Sequence, residues 1–114
     1  MARRVLPTLR RAAFSEVMAA GNRLPGPLVT LFWRQAPECG VGIAVSRRVR
    51  TAVQRNRAKR RLRELLRRHA QQIPEGIQAV WLLHPDVADV PFARLADEFR
   101  RTIDALRERI RDDS

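Results

Sequence analysis

The chain has 114 residues, 45% of them hydrophobic, and a formal net charge of +11. This length predicts one domain over residues 1–114, with an ordered core over about 6–110. The apolar content excludes a disordered chain, and no run of 18 apolar residues is present to cross a membrane. The single cysteine, Cys39, rules out an internal disulfide. With only two histidines, a zinc site of ordinary spacing is ruled out as well. A reducing, cytoplasmic setting is the expectation. The N-terminus is basic but lacks the apolar run of a secretory signal, and it is too short before the first helix to read as a transit peptide.

The first helix is expected over Thr8–Ala20, because Leu9, Ala13, Phe14, Val17 and Met18 recur at helical spacing and Gly21 can stop it. Asn22–Pro27 reads as a turn. Leu28–Arg34 is rich in β-branched and aromatic residues and reads as a strand. In such a strand Phe32 and Trp33 point to opposite faces, so one of them belongs to the core. Val41–Arg47 reads as a second strand. Val41, Ile43 and Val45 share one face of it, and Gly42, Ala44 and Ser46 the other. The second face is small enough for another group to approach closely.

Thr51 can cap a helix from about Ala52 to His69, with Ala58, Leu62, Leu65, Leu66 and His69 as its apolar stripe. Pro74 and Gly76 prevent its continuation. Gln78–Leu83 is a third strand, closed by His84 and Pro85. Asp89 and Pro91 mark the start of a last helix, in which Phe92, Leu95, Ala96, Phe99, Ile103, Leu106 and Ile110 keep helical spacing. Trp81, Phe92 and Phe99 are expected in the core. His69 and His84 read as structural. The order is helix, two strands, helix, strand, helix, an α+β arrangement with helices packed on a small sheet.

The charge is not spread along these elements. Residues 47–68 contain eleven basic residues and one acid, Glu64, a net of +10. The rest of the chain is therefore left at +1. On a helix, Arg57, Arg60, Arg61, Glu64 and Arg68 share one flank, while Arg55, Lys59 and Arg63 share another. A solvated helix would interleave both signs, and this one does not. A membrane-binding or calmodulin-type helix needs an exposed apolar face, but the Leu62, Leu65 and Leu66 stripe is required to cover a sheet. The basic region of a leucine zipper would need apolar heptads next, where Pro74 stands. The remaining partner is a polyanion, with nucleic acid the first choice.

The order of residues narrows this further. The string VGIAVSRRVRTAVQRNRAKRRLREL resembles the signature of bacterial ribonuclease P protein components. It supplies Val45-Ser46-Arg47-Arg48, Ala52-Val53, Arg55-Asn56-Arg57, Lys59-Arg60 and Arg63-Glu64 in the family's order. The resemblance extends to Phe14, Val17 and Gly21 in the first helix, to the strand AVWLLHP, and to PFARLADEF in the last helix. It covers roughly residues 6–108. Arg50-Thr51 replaces the usual Gly-Asn, Met18 replaces a second Phe, Val41 stands where Phe is frequent, and Arg47-Arg48 replaces Lys-Lys.

The resemblance implies a four-stranded sheet of αβββαβα type. It also implies an unusual left-handed βαβ crossover, as in the second domain of ribosomal protein S5. It implies a protein subunit that joins a catalytic RNA and helps remove the 5′ leader of precursor tRNA. Magnesium is then held by the RNA, and no obligate protein partner is implied. The expected RNA-binding residues are Arg47, Arg48, Arg50, Arg55, Asn56, Arg57, Lys59, Arg60, Arg61 and Arg63. The expected leader cleft contains Phe14, Met18, Phe32 and Ser46. No catalytic residue is expected in this chain. Asp86 and Asp89 sit in a loop, and Asp112 and Asp113 in the tail, where they cannot converge as in a two-metal nuclease. The alternative is a non-enzymatic RNA-binding protein, such as a ribosomal protein, using the same basic helix.

Overall fold

The computed structural model describes residues 4–112. Its elements in chain order are α1 (Arg11–Ala20), β1 (Asn22–Leu24), β2 (Val29–Gln35), β3 (Gly40–Val45), α2 (Ala52–Arg68), β4 (Ile77–Leu83) and α3 (Phe92–Asp112). Short 3₁₀ turns at Ala70–Gln72 and Pro85–Ala88 follow α2 and β4. The sheet order is β1-β2-β4-β3. β1 pairs with β2 and β2 with β4 antiparallel, whereas β3 and β4 are parallel. α2 therefore makes the crossover between two adjacent parallel strands.

Register divides the side chains between two faces. Trp33, Ala79 and Val41 form one row, and Leu31, Trp81 and Ile43 the row two residues along. These rows face α2 and α3, where the Trp81 and Phe99 rings stack with centroids 5.5 Å apart. Leu62 and Leu65 of α2 and Leu95, Phe99, Ile103 and Leu106 of α3 are fully buried in the same cluster. The opposite face carries the rows Phe32–Val80–Gly42 and Thr30–Leu82–Ala44. α1 covers only part of it. Val17 is buried, while Phe32, Leu82 and Ala44 stay half-buried.

Three local readings of the sequence change. Asn22–Leu24 is a strand, not a turn, because its backbone pairs with Leu31–Trp33 and the turn lies in the residues that follow. α1 starts at Arg11, three residues later than the periodicity suggests. Leu9 N–H instead donates to Val41 O and Val41 N–H to Pro7 O, at 2.9 and 2.8 Å. These bonds hold segment 7–9 extended along the edge of β3. The pairing with Val41 is the reason; Pro7 by itself biases only the residue before it, Leu6, toward extended backbone. Phe92, expected in the core, is half-buried, with the Arg68 guanidinium 5.4 Å above its ring centre. Of the two adjacent aromatics on β2, Trp33 is the core residue.

Thr51 caps α2 as its side chain predicts, accepting from Gln54 N–H at 3.1 Å. α3 is tied to the sheet by Glu98, whose carboxylate accepts from the N–H groups of Leu28 and Val29 at 2.9 and 2.8 Å. A methyl group at Gly26 would lie 3.0 Å from that carboxylate and 2.8 Å from Val29 O, so this turn is held to a residue without a side chain.

Candidate nucleic-acid interface

At the outer edge of β3, α1 and α2 approach each other across a cleft of about 380 Å³. Phe14 forms one wall from α1, and Lys59 and Arg63 form the other from α2. Val41, Gly42 and Ile43 make the floor, and Leu6, Thr8 and Leu9 close one end. Among the described residues, no acidic side chain lines it. The Phe14 ring lies so close over Gly42 that a methyl group there would be 2.6 Å from Cδ2. The small face of β3 is thus approached by the protein's own aromatic ring. Farther along that face Ala44 and Ser46 remain half-exposed.

The expected leader residues are distributed around this cleft rather than gathered in it. Phe14 lines it. Phe32 lies on the same sheet face, in the row that ends at Gly42, two strands away. Met18 is half-buried one turn farther along α1. Ser46 follows β3, where its hydroxyl accepts from Arg48 N–H at 3.2 Å. Met18, Phe32 and Ser46 do not line the cleft itself. They border the partly covered sheet face that adjoins it.

The basic residues separate into groups by what their guanidinium groups touch. Arg55 donates through Nη1 to Ser46 O at 3.1 Å and Val49 O at 2.9 Å. It therefore straps the connection between β3 and α2. Arg61 donates through Nη1 to Val87 O at 2.8 Å and Val90 O at 2.6 Å, and so holds the loop before α3. Arg67 and Arg68 converge on Glu64, with the Arg68 Nε bond at 2.9 Å. The hydrogen bonds from Arg67 and then Arg68 lower the Glu64 pKa, and Glu64 in turn raises that of Arg67.

Arg57, Lys59, Arg60 and Arg63 on α2, and Arg47, Arg48 and Arg50 before it, carry no side-chain ion pair among the described residues. All but Lys59 are exposed. Arg60 and Arg63 flank a shallow hollow of about 390 Å³ with Asn56 and Val53. Val53 is 75% exposed. Arg63 also belongs to the main cleft, so the two hollows meet across α2. This arrangement can screen closely spaced phosphates, and the cleft offers an aromatic ring beside cations for an unstacked base.

Two features escaped the sequence reading. Arg55 and Arg61 looked like their neighbours, because no sequence signal distinguishes an arginine aimed at carbonyls from one aimed at solvent. Helical spacing places Thr8 and Leu9 in α1, and no local signal marks their extended course along β3. Among the described residues, no group of three or more His, Cys, Asp or Glu side chains comes together to hold a metal. Asp112 ends α3, and Asp113 lies outside the described residues.

The Ribonuclease P family model matches residues 5–107, which contain every wall of the cleft and the whole of α2. The chain belongs to the ribonuclease P protein family. It is 41% identical over 78 residues to the ribonuclease P protein component of Thermus oshimai, a match that covers 68% of this chain and 50% of that protein. It is 35% identical over 99 residues to the protein component of Chloroflexus aurantiacus, covering 84% of this chain and 73% of the relative. The chain spans about half the length of the Thermus relatives it matches. The fold agrees with the RNase P protein from Thermotoga maritima at a TM-score of 0.75 and 25% identity, covering 84% of this chain and 94% of that one. The RNase P protein of Staphylococcus aureus shares the fold at a TM-score of 0.76 and 18% identity, covering 90% and 96% of the two chains. Among the described residues, no helix is long and apolar enough to cross a membrane.

Proposed function

We propose that this chain is the protein subunit of a ribonucleoprotein endonuclease that matures the 5′ end of tRNA in the cytoplasm. Its partners are a catalytic RNA and precursor tRNA. The observation that carries the reading is the meeting of Phe14 with Lys59 and Arg63 across the β3 edge, in a chain of the ribonuclease P family. The arginines of α2 and of the turn before it that carry no ion pair among the described residues neutralise phosphates where the two RNAs come together. Close RNA strands repel, so this neutralisation strengthens substrate binding most at low divalent-cation concentration. The cleft and the adjoining sheet face hold the single-stranded leader, with a base against Phe14 and backbone phosphates near Lys59 and Arg63. Arg55 positions the β3–α2 connection, and with it Arg47 and Arg48.

The chain's own residues bind and orient; they do not break the phosphodiester bond. Its side chains do not fit a divalent-metal site, since no donor set converges among the described residues. Magnesium is proposed to belong to the RNA subunit.

The test is reconstitution with the cognate catalytic RNA and precursor tRNA at limiting magnesium. The protein is expected to lower the magnesium requirement and to strengthen binding of leader-bearing substrate over mature tRNA. Phe14→Ala is expected to reduce that leader preference on the order of tenfold, consistent with about 1–3 kcal/mol for one base stacked on an aromatic ring. Binding without any effect on cleavage or on leader preference would leave only a non-enzymatic RNA-binding protein.

A further inference from the structure

We propose that the leader track does not end at the cleft but continues along α2 to a second cationic station at Arg107, with Arg4 as part of the wall that leads to it. This rests on the leader-binding reading above and extends it. Leu6 and Leu66 wall the cleft and also an adjoining hollow of about 350 Å³. Arg4 walls that hollow and a third one of about 480 Å³, which reaches Arg107 on α3. The shared walls set the three hollows side by side as one path. Between Lys59 and Arg67 it follows α2 for about 12 Å at the helical rise per residue.

The chemistry alternates along this path. Lys59 and Arg63 stand at the cleft end. The middle is mostly apolar, with Leu6, Leu66 and Val5, which is 82% exposed, beside the Glu64-paired Arg67. At the far end the Arg4 guanidinium is fixed by the carbonyls of Ala70, at 2.9 Å, and Ile73. Arg107 has no ion pair or hydrogen bond among the described residues, unlike Arg100 and Arg101, which both bind Asp97. Glu75 also lines the last hollow, beside Arg4, Arg107 and Arg111, and leaves its charge positive. Cations at both ends with an apolar floor between them suit a single strand, whose phosphates and base faces alternate in the same way. The occupant is the upstream part of the leader, beyond the nucleotides held in the cleft.

The experiment uses the reconstituted holoenzyme and two precursor tRNAs. One has a leader short enough to end in the cleft, and the other a leader long enough to cross the groove. Arg107→Ala is expected to weaken binding of the long-leader substrate by about threefold to tenfold, as loss of one phosphate contact should, and to leave the short-leader substrate unchanged. Val5→Asp, at an exposed position that the fold does not need, is expected to act in the same direction. Phe14→Ala is expected to weaken both substrates. Equal effects of Arg107→Ala and Val5→Asp on the two leaders, or none, would overturn the extended track while a Phe14→Ala loss kept the cleft assignment intact. If Phe14→Ala failed to weaken either leader, the cleft reading itself would fall. An Arg107→Ala protein that lost affinity for a polyglutamate peptide, with leader binding unchanged, would assign the groove to an acidic protein partner and overturn the proposal.

Discussion

Helices α2 and α3 pack on the same face of the sheet and bury the same kind of apolar stripe, yet they treat charge in opposite ways. α2 carries eight basic residues and one acid, a net of +7, whereas α3 carries six and five, a net of +1. In α3 several charges are satisfied inside the protein. Asp97 holds Arg100 and Arg101, and Glu98 binds two backbone N–H groups of the sheet. In α2 Glu64 holds Arg67 and Arg68 in the same way, but only at the C-terminal end. The preceding turns present Arg57, Lys59, Arg60 and Arg63 with no ion pair among the described residues. The core asks the same of both helices, an apolar stripe and no more. The surface charge is therefore free to differ, and where it is unbalanced it marks the face proposed to meet a polyanion.

The widest gap between the two helices should appear in RNA binding. Replacing Arg57, Arg60 and Arg63 together by Ala is expected to lower affinity for the catalytic RNA on the order of a hundredfold at moderate salt. It should also make the plot of log affinity against log salt shallower by about two to three units. Arg94, Arg100 and Arg101 on α3 remove the same formal charge, and their replacement is expected to change affinity less than about twofold. Equal losses from the two triples, measured by a filter-binding salt series, would mean that net charge alone matters and that the arrangement on α2 is irrelevant.

Within α2 the contrast is between arginines that face solvent and arginines that face carbonyls. Arg61→Ala leaves Val87 O and Val90 O without their donor and is expected to cost about 1.5–3 kcal/mol in unfolding free energy. The salt slope of RNA binding should stay as it was, because no phosphate contact is lost. Arg60, one residue away, should do the reverse, with little effect on stability and a slope reduced by about one unit. Chemical denaturation and a salt series on the two variants separate the roles. An unchanged stability for Arg61→Ala, with a flattened slope, would place it among the phosphate binders.

This contrast also marks what the sequence could convey. The helix stripes, the Thr51 cap and the strand at Gln78–Leu83 follow from periodicity and local chemistry, and they stand close to where the pattern puts them. The motif order of residues 45–64 identifies the family because each position sits on a defined element. The short β1 escapes because three residues, Asn22–Leu24, carry no alternation, and their strand character comes entirely from pairing with Leu31–Trp33. The cleft escapes in part for a similar reason. Its end wall is an extended segment whose course is set by hydrogen bonds to Val41, more than thirty residues away in sequence. Arg55 and Arg61 escape because their targets are backbone carbonyls, which no residue type announces.

The smallest effect on stability concerns the single acid of α2. Hydrogen bonds from Arg67 and then Arg68 hold the Glu64 carboxyl below the usual value of 4.5. A carboxylate whose folded pKa is depressed contributes stability above its unfolded pKa and loses it as pH falls through the folded value. The stability difference between the wild type and Glu64→Gln is therefore expected to be constant at neutral pH and to shrink below about pH 4.5. It should be small, since the group is well solvated and exposed ion pairs contribute little. RNA binding should move the other way. With Glu64 neutral, Arg67 and Arg68 are released at the C-terminal end of α2, and the salt slope is expected to steepen by up to about two units. A pH series of denaturation curves checks the first effect and a salt series at neutral pH the second. If the slope does not steepen, Arg67 and Arg68 lie beyond the reach of the RNA, and the phosphate-binding face of α2 ends at Arg63.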